Sequence, residues 1–235
     1  MTQAHTLIAA AALSLLAAGA QAADATPVGT STVYLGGAYI DIHSSAAPLA
    51  GDANTPALPA PGAQIRVGDA STVGFGYTYR FMPTWSVELA LGIPPTHKTY
   101  GQGLLEPVGE LSSVKEESPT VFFNYHLGPF GAFEPFVGLG INYTHFTDMH
   151  STAQGDAASG GPTHIALSNS WGLAGHVGGI YHIDQHWEVV GTAAYADVRS
   201  DLTATTDRGN SPAWVRTTRI KFNPVVYTLS VGYNF

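Results

Sequence analysis

Residues 223–235 read N-P-V-V-Y-T-L-S-V-G-Y-N-F, and the pattern of this stretch decides the fold. Val225, Tyr227, Leu229, Val231, Tyr233 and Phe235 take alternate positions, and Val226, Thr228, Ser230, Gly232 and Asn234 fill the gaps. A period of two predicts a strand with one apolar face and one small or polar face. Its backbone donors and acceptors need partners, so the rest of the chain must supply strands on both of its edges.

Candidate partners recur along the chain. Residues 32–42 are mixed on both faces. In 70–79, Val73, Phe75, Tyr77 and Tyr79 alternate with Thr72, Gly74, Gly76 and Thr78. A tight turn is expected over 80–84. Trp85, Val87, Leu89, Leu91 and Ile93 then alternate until Pro94 and Pro95, which cannot donate to a ladder. Val121, Phe123, Tyr125 and Leu127 mark a fourth strand. A turn over 128–134 leads to a fifth with Val137, Leu139, Ile141 and Tyr143. Trp171, Leu173, Val177, Tyr181 and Ile183 mark the sixth, and Trp187, Val189, Ala193 and Tyr195 the seventh, across a turn at 184–186. The connections alternate long and short; 43–69, 94–119, 147–168 and 200–221 are the long ones, and 213–220 has the content of a strand that extends a hairpin. Eight strands with short turns on one side and long loops on the other predict an all-β, eight-stranded antiparallel transmembrane up-and-down β-barrel.

Charge decides which face points outward. Charged residues make up 11% of the chain, against roughly 25% in soluble domains. On strands two to eight the apolar face carries none, and the other face is small and polar, with Glu88 and Glu188 inside strands. A soluble barrel would place several charges outside. The apolar face is therefore read as facing lipid. Tyr79, Trp85, Tyr181, Trp187, Tyr233 and Phe235 near the short turns, and Tyr143 and Trp171 near the long loops, form the two interfacial girdles. There is no cysteine, so disulfides and thiolate metal sites are excluded. A net charge of −8 argues against a nucleic-acid partner. Residues 7–18 are an apolar run followed by Ala20-Gln21-Ala22, which reads as a cleaved signal peptide over 1–22. Residues 23–235 are then the exported barrel domain, placed in the bacterial outer membrane among its lipids and lipopolysaccharide.

Several segments look familiar. G-I-P-P-T-H-K (92–98), E-P-F-V-G-L-G-I-N-Y-T-H-F (134–146), N-S-W-G-L-A-G-H-V-G (169–178) and F-N-P-V-V-Y-T-L-S-V-G-Y-N-F (222–235) resemble the outer membrane protein W (OmpW/AlkL) family. The resemblance runs through the mature chain and is weakest over 43–69. Where the family often opens its fourth strand with two prolines, this chain has Glu117-Ser118-Pro119-Thr120. The resemblance implies a barrel with a narrow, partly hydrophobic interior, associated with uptake of small hydrophobic solutes. A terminal strand ending on an aromatic residue also looks like the signal read by the barrel-assembly machinery, carried here by Tyr227, Leu229, Val231, Tyr233 and Phe235.

By parity, Phe122, Phe136, Ile180, Val190 and Val226 face inward and are candidate lumen-lining residues. They suit a hydrophobic ligand, and simple lumen packing explains them about as well. Inward Gly74, Gly76, Gly138, Gly140, Gly172 and Gly178 leave room for a passage or accommodate bulky neighbours. Pro94, Pro95 and Pro119 either end strands in the ordinary way or loosen the wall into a lateral exit. His145, His150 and His164 share one loop region, while His126, His176 and His182 face inward; none has ligand spacing, so no metal or cofactor is expected. An enzyme would need a trio such as Ser170, His176 and Glu188, which nothing in the sequence positions. The alternative to a channel is a structural or adhesin-type barrel that binds through its loops.

Overall fold

A closed wall of eight antiparallel strands is the centre of the molecule. The computed structural model describes residues 26–235, so the expected signal peptide lies outside the described residues. In chain order the strands are β1 (Ser31–Ile42), β2 (Ser45–Ala46), β3 (Ala50–Gly51), β4 (Ala63–Val67), β5 (Ala70–Met82), β6 (Trp85–Gly92), β7 (Thr96–Gly103), β8 (Glu110–Glu117), β9 (Thr120–His126) and β10 (Phe133–Ser151). After a short helix, α1 (Ala153–Ser159), come β11 (Thr163–Leu167), β12 (Ser170–His182), β13 (Trp187–Ala196), β14 (Arg199–Arg208), β15 (Ser211–Lys221) and β16 (Pro224–Asn234). The wall runs β12-β13-β16-β1-β5-β6-β9-β10, and β10 pairs back on β12. β16 lies between β13 and β1, from Trp187↔Tyr233 on one edge and Thr32↔Asn234 on the other. The stretch that decides the fold therefore has partners on both edges.

The alternation sets the faces as expected. Leu139, Leu173 and Trp171 point outward at 77%, 76% and 73% exposure, within a continuous belt that includes Phe75, Val87, Phe123, Tyr227 and Leu229. Within the closed ladder of the wall strands from β5 to β16 no charged residue interrupts that face; exposed Asp148 lies beyond it, in the upper part of β10.

The long connections are more ordered than the sequence suggests. β15 pairs along β14, the hairpin extension expected from 213–220. The regions 43–69, 94–119 and 147–168, read as loops, also carry strands: β4 pairs β7, β7 pairs β8, β8 pairs the upper part of β10, and β11 pairs β14. Above the membrane an outward face needs no apolar residues, and the inward face of β7 and β8 is largely polar too. The periodic hydrophobic signal is lost, although the backbone remains extended. These sheets enclose an apolar cluster of Ile42, Ile65, Val67, Val114, Phe146, Val198, Leu202, Ile220 and Phe222. Phe146 and Phe222 stack there with ring centroids 5.3 Å apart. The molecule thus has its oil outside at the level of the wall and inside above it.

Two turn assignments need correction. Arg80 belongs to β5 and Glu134 to β10. Both side chains are buried, at 2% and 1% exposure, inside the end of the lumen nearest the short turns. The polar character that suggested turns instead serves the interior.

Candidate functional site

The lumen is built in tiers. At the short-turn end Arg80 donates from Nη2 to Glu134 Oε1 at 2.7 Å and from Nη1 to the Pro83 carbonyl at 3.0 Å. His182 Nε2 meets Glu134 Oε2 at 3.0 Å, and its Nδ1 lies 3.5 Å from Glu188 Oε2. Asn234 Nδ2 donates to Glu188 at 2.9 Å, and Thr32 donates to Asn234 Oδ1 at 2.6 Å. His126 Nε2 bonds Ser86 at 2.9 Å, while its Nδ1 lies 2.9 Å from Glu134 Oε1, off the line that a hydrogen bond needs. Charges this deep are tolerated because each has charged or hydrogen-bonding neighbours. The tier is a polar floor.

A second tier lies above it. Tyr34 donates to Glu88 Oε1 at 2.7 Å and Asn124 Nδ2 to Oε2 at 2.8 Å, which leaves Asn124 Oδ1 for His176 Nε2 at 2.7 Å. The His176 ring stacks on Phe122, with centroids 3.8 Å apart. Any Cβ at Gly76 would collide with Tyr34, and any at Gly138 with Asn124 and His176. These glycines make room for the tier, so close packing is their role rather than an open passage; at Gly74 the space is free of such contacts.

A cavity of about 190 Å³ runs along the lumen: Arg80, His126 and Glu188 of the floor and Tyr34, Glu88, Asn124 and His176 of the second tier border it, and it reaches Val198 of the apolar cluster. Phe122, Phe136, Ile180, Val190 and Val226, the expected lining residues, all border it, with Ala38, Ala90, Ala174 and Ala194 among the others.

The cavity reaches a break in the wall. β6 pairs β9 only up to Ala90↔Thr120. The next backbone link is Glu116 N to the Pro95 carbonyl at 3.1 Å, after which Thr96 pairs Lys115. Residues 91–94 thus face 117–119 with no ladder pair between them. Pro94, Pro95 and Pro119 bound this gap, and proline at three such positions keeps the ladder from closing. Pro119 spends its carbonyl on Tyr143 N of β10, at 3.0 Å. Leu91 is outward by alternation yet borders the cavity, together with Gly92, Pro95 and Ser118, because the wall is open beside it.

Other candidates are not brought together. Ser170 Oγ accepts from Arg199 N, His176 is held by Asn124, and Glu188 by Asn234, so these three form no hydrogen-bonded triad. His145 bonds Asn169, away from the lumen histidines. Among the described residues no three His, Asp or Glu side chains are arranged to hold a metal ion. The floor ion pair was missed by sequence reasoning; the signal available was an Arg and a Glu placed immediately inside two short turns.

Comparison with known proteins agrees with this architecture. The chain is 30% identical over 174 residues to outer membrane protein W of Vibrio cholerae, covering 73% of this chain and 77% of that one. It is 25% identical over 175 residues to the dibenzothiophene metabolism operon protein PahQ of Pseudomonas aeruginosa, covering 74% and 76%. The crystal structure of the outer membrane protein OprG from Pseudomonas aeruginosa superposes with a TM-score of 0.76 at 28% identity, covering 88% of this chain and 96% of that one. The family model for OmpW matches residues 37–235, from the first wall strand through the closing one, and the chain belongs to the OmpW family of outer-membrane barrels.

Proposed function

We propose that the protein is a narrow channel for uptake of small hydrophobic molecules across the outer membrane, with lateral release through the gap bounded by Pro94, Pro95 and Pro119. The observation that carries this reading is the cavity itself: lined over most of its surface by apolar side chains, crossed towards the short turns by two hydrogen-bonded polar tiers, and continuous with a break in the wall. Away from the two tiers and the polar side of the gap, a hydrated ion finds few partners in such a lining. An apolar solute has no favourable path through the buried ion pairs of the floor, and the gap offers it lipid instead. The name of the relative PahQ points the same way, since dibenzothiophene is an apolar polycyclic compound. The outward belt is the surface that lipids and lipopolysaccharide cover, and the closing strand ending at Phe235 is what the assembly machinery reads.

The test is uptake of octane at limiting supply by cells with and without the protein, with folded protein verified in each strain. Val190→Asp and Phe122→Asp are expected to slow uptake while the barrel still folds, because lumen positions tolerate polar groups better than lipid-facing ones. Cysteines at Leu91 and Pro119, in a chain with no other cysteine, bridged by a reducible bifunctional thiol reagent, should block uptake until reduction. Uptake indifferent to the protein across a broad solute panel would remove the channel and leave a structural or adhesin-type barrel.

A further inference from the structure

One side of the wall gap is not apolar. Glu116 Oε1 accepts from Ser118 Oγ at 2.5 Å, and Ser118 Oγ lies 3.0 Å from Thr144 Oγ1. Thr144 donates to Asn142 Oδ1 at 2.7 Å, and Asn142 Nδ2 donates to Thr120 Oγ1 at 2.8 Å. Glu116, Thr144, Asn142 and Thr120 are all at least nine-tenths buried. Glu116, Ser118, Thr120 and Asn142 border the cavity where it meets the gap. A purely apolar solute has no use for such a rail, and an apolar cavity wall would be cheaper to bury.

The far oxygen of Glu116 is the reactive end of the rail. Oε2 lies 3.3 Å from His97 Nε2, without hydrogen-bond geometry, and that nitrogen, on a side chain 1% exposed, has no hydrogen-bond partner among the described residues. His97 Nδ1 is already committed to the Gly68 carbonyl at 3.0 Å, which fixes the ring. Glu116 Oε1 carries the Ser118 bond and Oε2 has His97 beside it without a hydrogen bond, so the carboxylate retains acceptor capacity on a residue that borders the cavity where it meets the gap. That junction is where the head of an amphiphile sits when its tail is in the chamber.

We propose that Glu116, held by Ser118, is a head-group site that selects amphiphiles bearing a hydrogen-bond-donating head, a primary ammonium or a hydroxyl, and rejects carboxylates. This rests on the channel reading above and names its substrate class. Glu116 accepts the head's N–H or O–H, and a carboxylate head meets like charge at the same point. No covalent step is involved.

The test compares uptake of octane, 1-octanol, octylammonium and octanoate by cells expressing the full-length protein. A lumen that reads polarity alone treats the two ions alike; the head-group site favours octylammonium over octanoate by roughly tenfold or more, the scale of one charge-assisted hydrogen bond. Glu116→Gln keeps the shape and should lower the octylammonium-to-octane ratio about tenfold. Glu106→Gln, which removes the same charge from an exposed position on a short 3-10 helix (Glu106–Val108), controls for overall electrostatics and should leave the ratio alone. If Glu116→Gln does not fold, as judged by heat-modifiable migration, Ser118→Ala releases the carboxylate and should shift the ratio the same way. Equal uptake of both ions by the wild type, or a ratio indifferent to Glu116 and Ser118, overturns the proposal. Octylammonium uptake that depends on Glu116, with octane uptake independent of the protein, would uphold this site and sink the hydrophobic channel.

Discussion

Arg80→Ala should be among the most damaging single changes in the lumen. It removes a guanidinium 2.7 Å from Glu134, in a pair whose side chains are 2% and 1% exposed. Removing one partner of a buried pair costs about 3–5 kcal/mol, because the other charge is left uncompensated. Here Glu134 keeps His182 at 3.0 Å and has His126 Nδ1 at 2.9 Å. These neighbours soften the loss, so the lower end applies: about 3 kcal/mol, or roughly a hundredfold in the folded-to-unfolded ratio. Adding Glu134→Gln removes the stranded charge and keeps hydrogen-bonding groups in place. The double variant should therefore recover part of the stability, giving a coupling of at least about 1 kcal/mol in a double-mutant cycle. The assay is urea unfolding of the barrel in lipid vesicles, followed by the fluorescence of Trp85, Trp171 and Trp187 on the wall. Losses that simply add, within about 0.5 kcal/mol, or an Arg80→Ala variant as stable as wild type, would refute the reasoning.

The lipid face supplies a second figure: Leu229→Arg should cost roughly 2–4 kcal/mol near mid-bilayer, whereas Ser230→Arg, inward and 5% exposed, should be limited by crowding in the lumen. Folding yield in vesicles checks both, and a Leu229→Arg barrel as stable as wild type would invert the face assignment. A peptide tag placed within 151–161, around α1, should be reached by antibody on intact cells, and one at 184–186 should not; equal labelling would contradict the orientation.

The wall was legible because lipid imposes a strict rule on it. Every second residue from Val73 to Phe235 on the spanning strands answers to hydrocarbon, so period two survives in the sequence. Parity alone was enough to place Phe122, Phe136, Ile180, Val190 and Val226 around one cavity. The upper sheets escaped because β7 and β8, with Thr96, Lys98, Ser113 and Lys115, have water outside and polar neighbours inside. The floor escaped for a different reason. Arg80 and Glu134 lie 54 positions apart and meet only through the order β5-β6-β9-β10. Asn234 looked like a neutral spacer, yet it bridges Thr32 and Glu188. Side-chain partners across a barrel are set by register, which local patterning does not encode.

The 19-residue length of β10 has a consequence for how a solute meets the cell. At about 3.3 Å per residue and a tilt near 40°, such a strand climbs roughly 45–50 Å, against an apolar band about 25 Å tall. Some 20 Å of paired wall, with Phe146 and Phe222 stacked inside, therefore stands above the hydrocarbon, at about the height of the sugars that coat the outer leaflet. That coat is the layer an oily molecule crosses worst. On the channel reading proposed above, a tall barrel carries its apolar interior through the saccharide, like a snorkel worn in reverse, and the gap beside Pro95 lies back down where the oil begins.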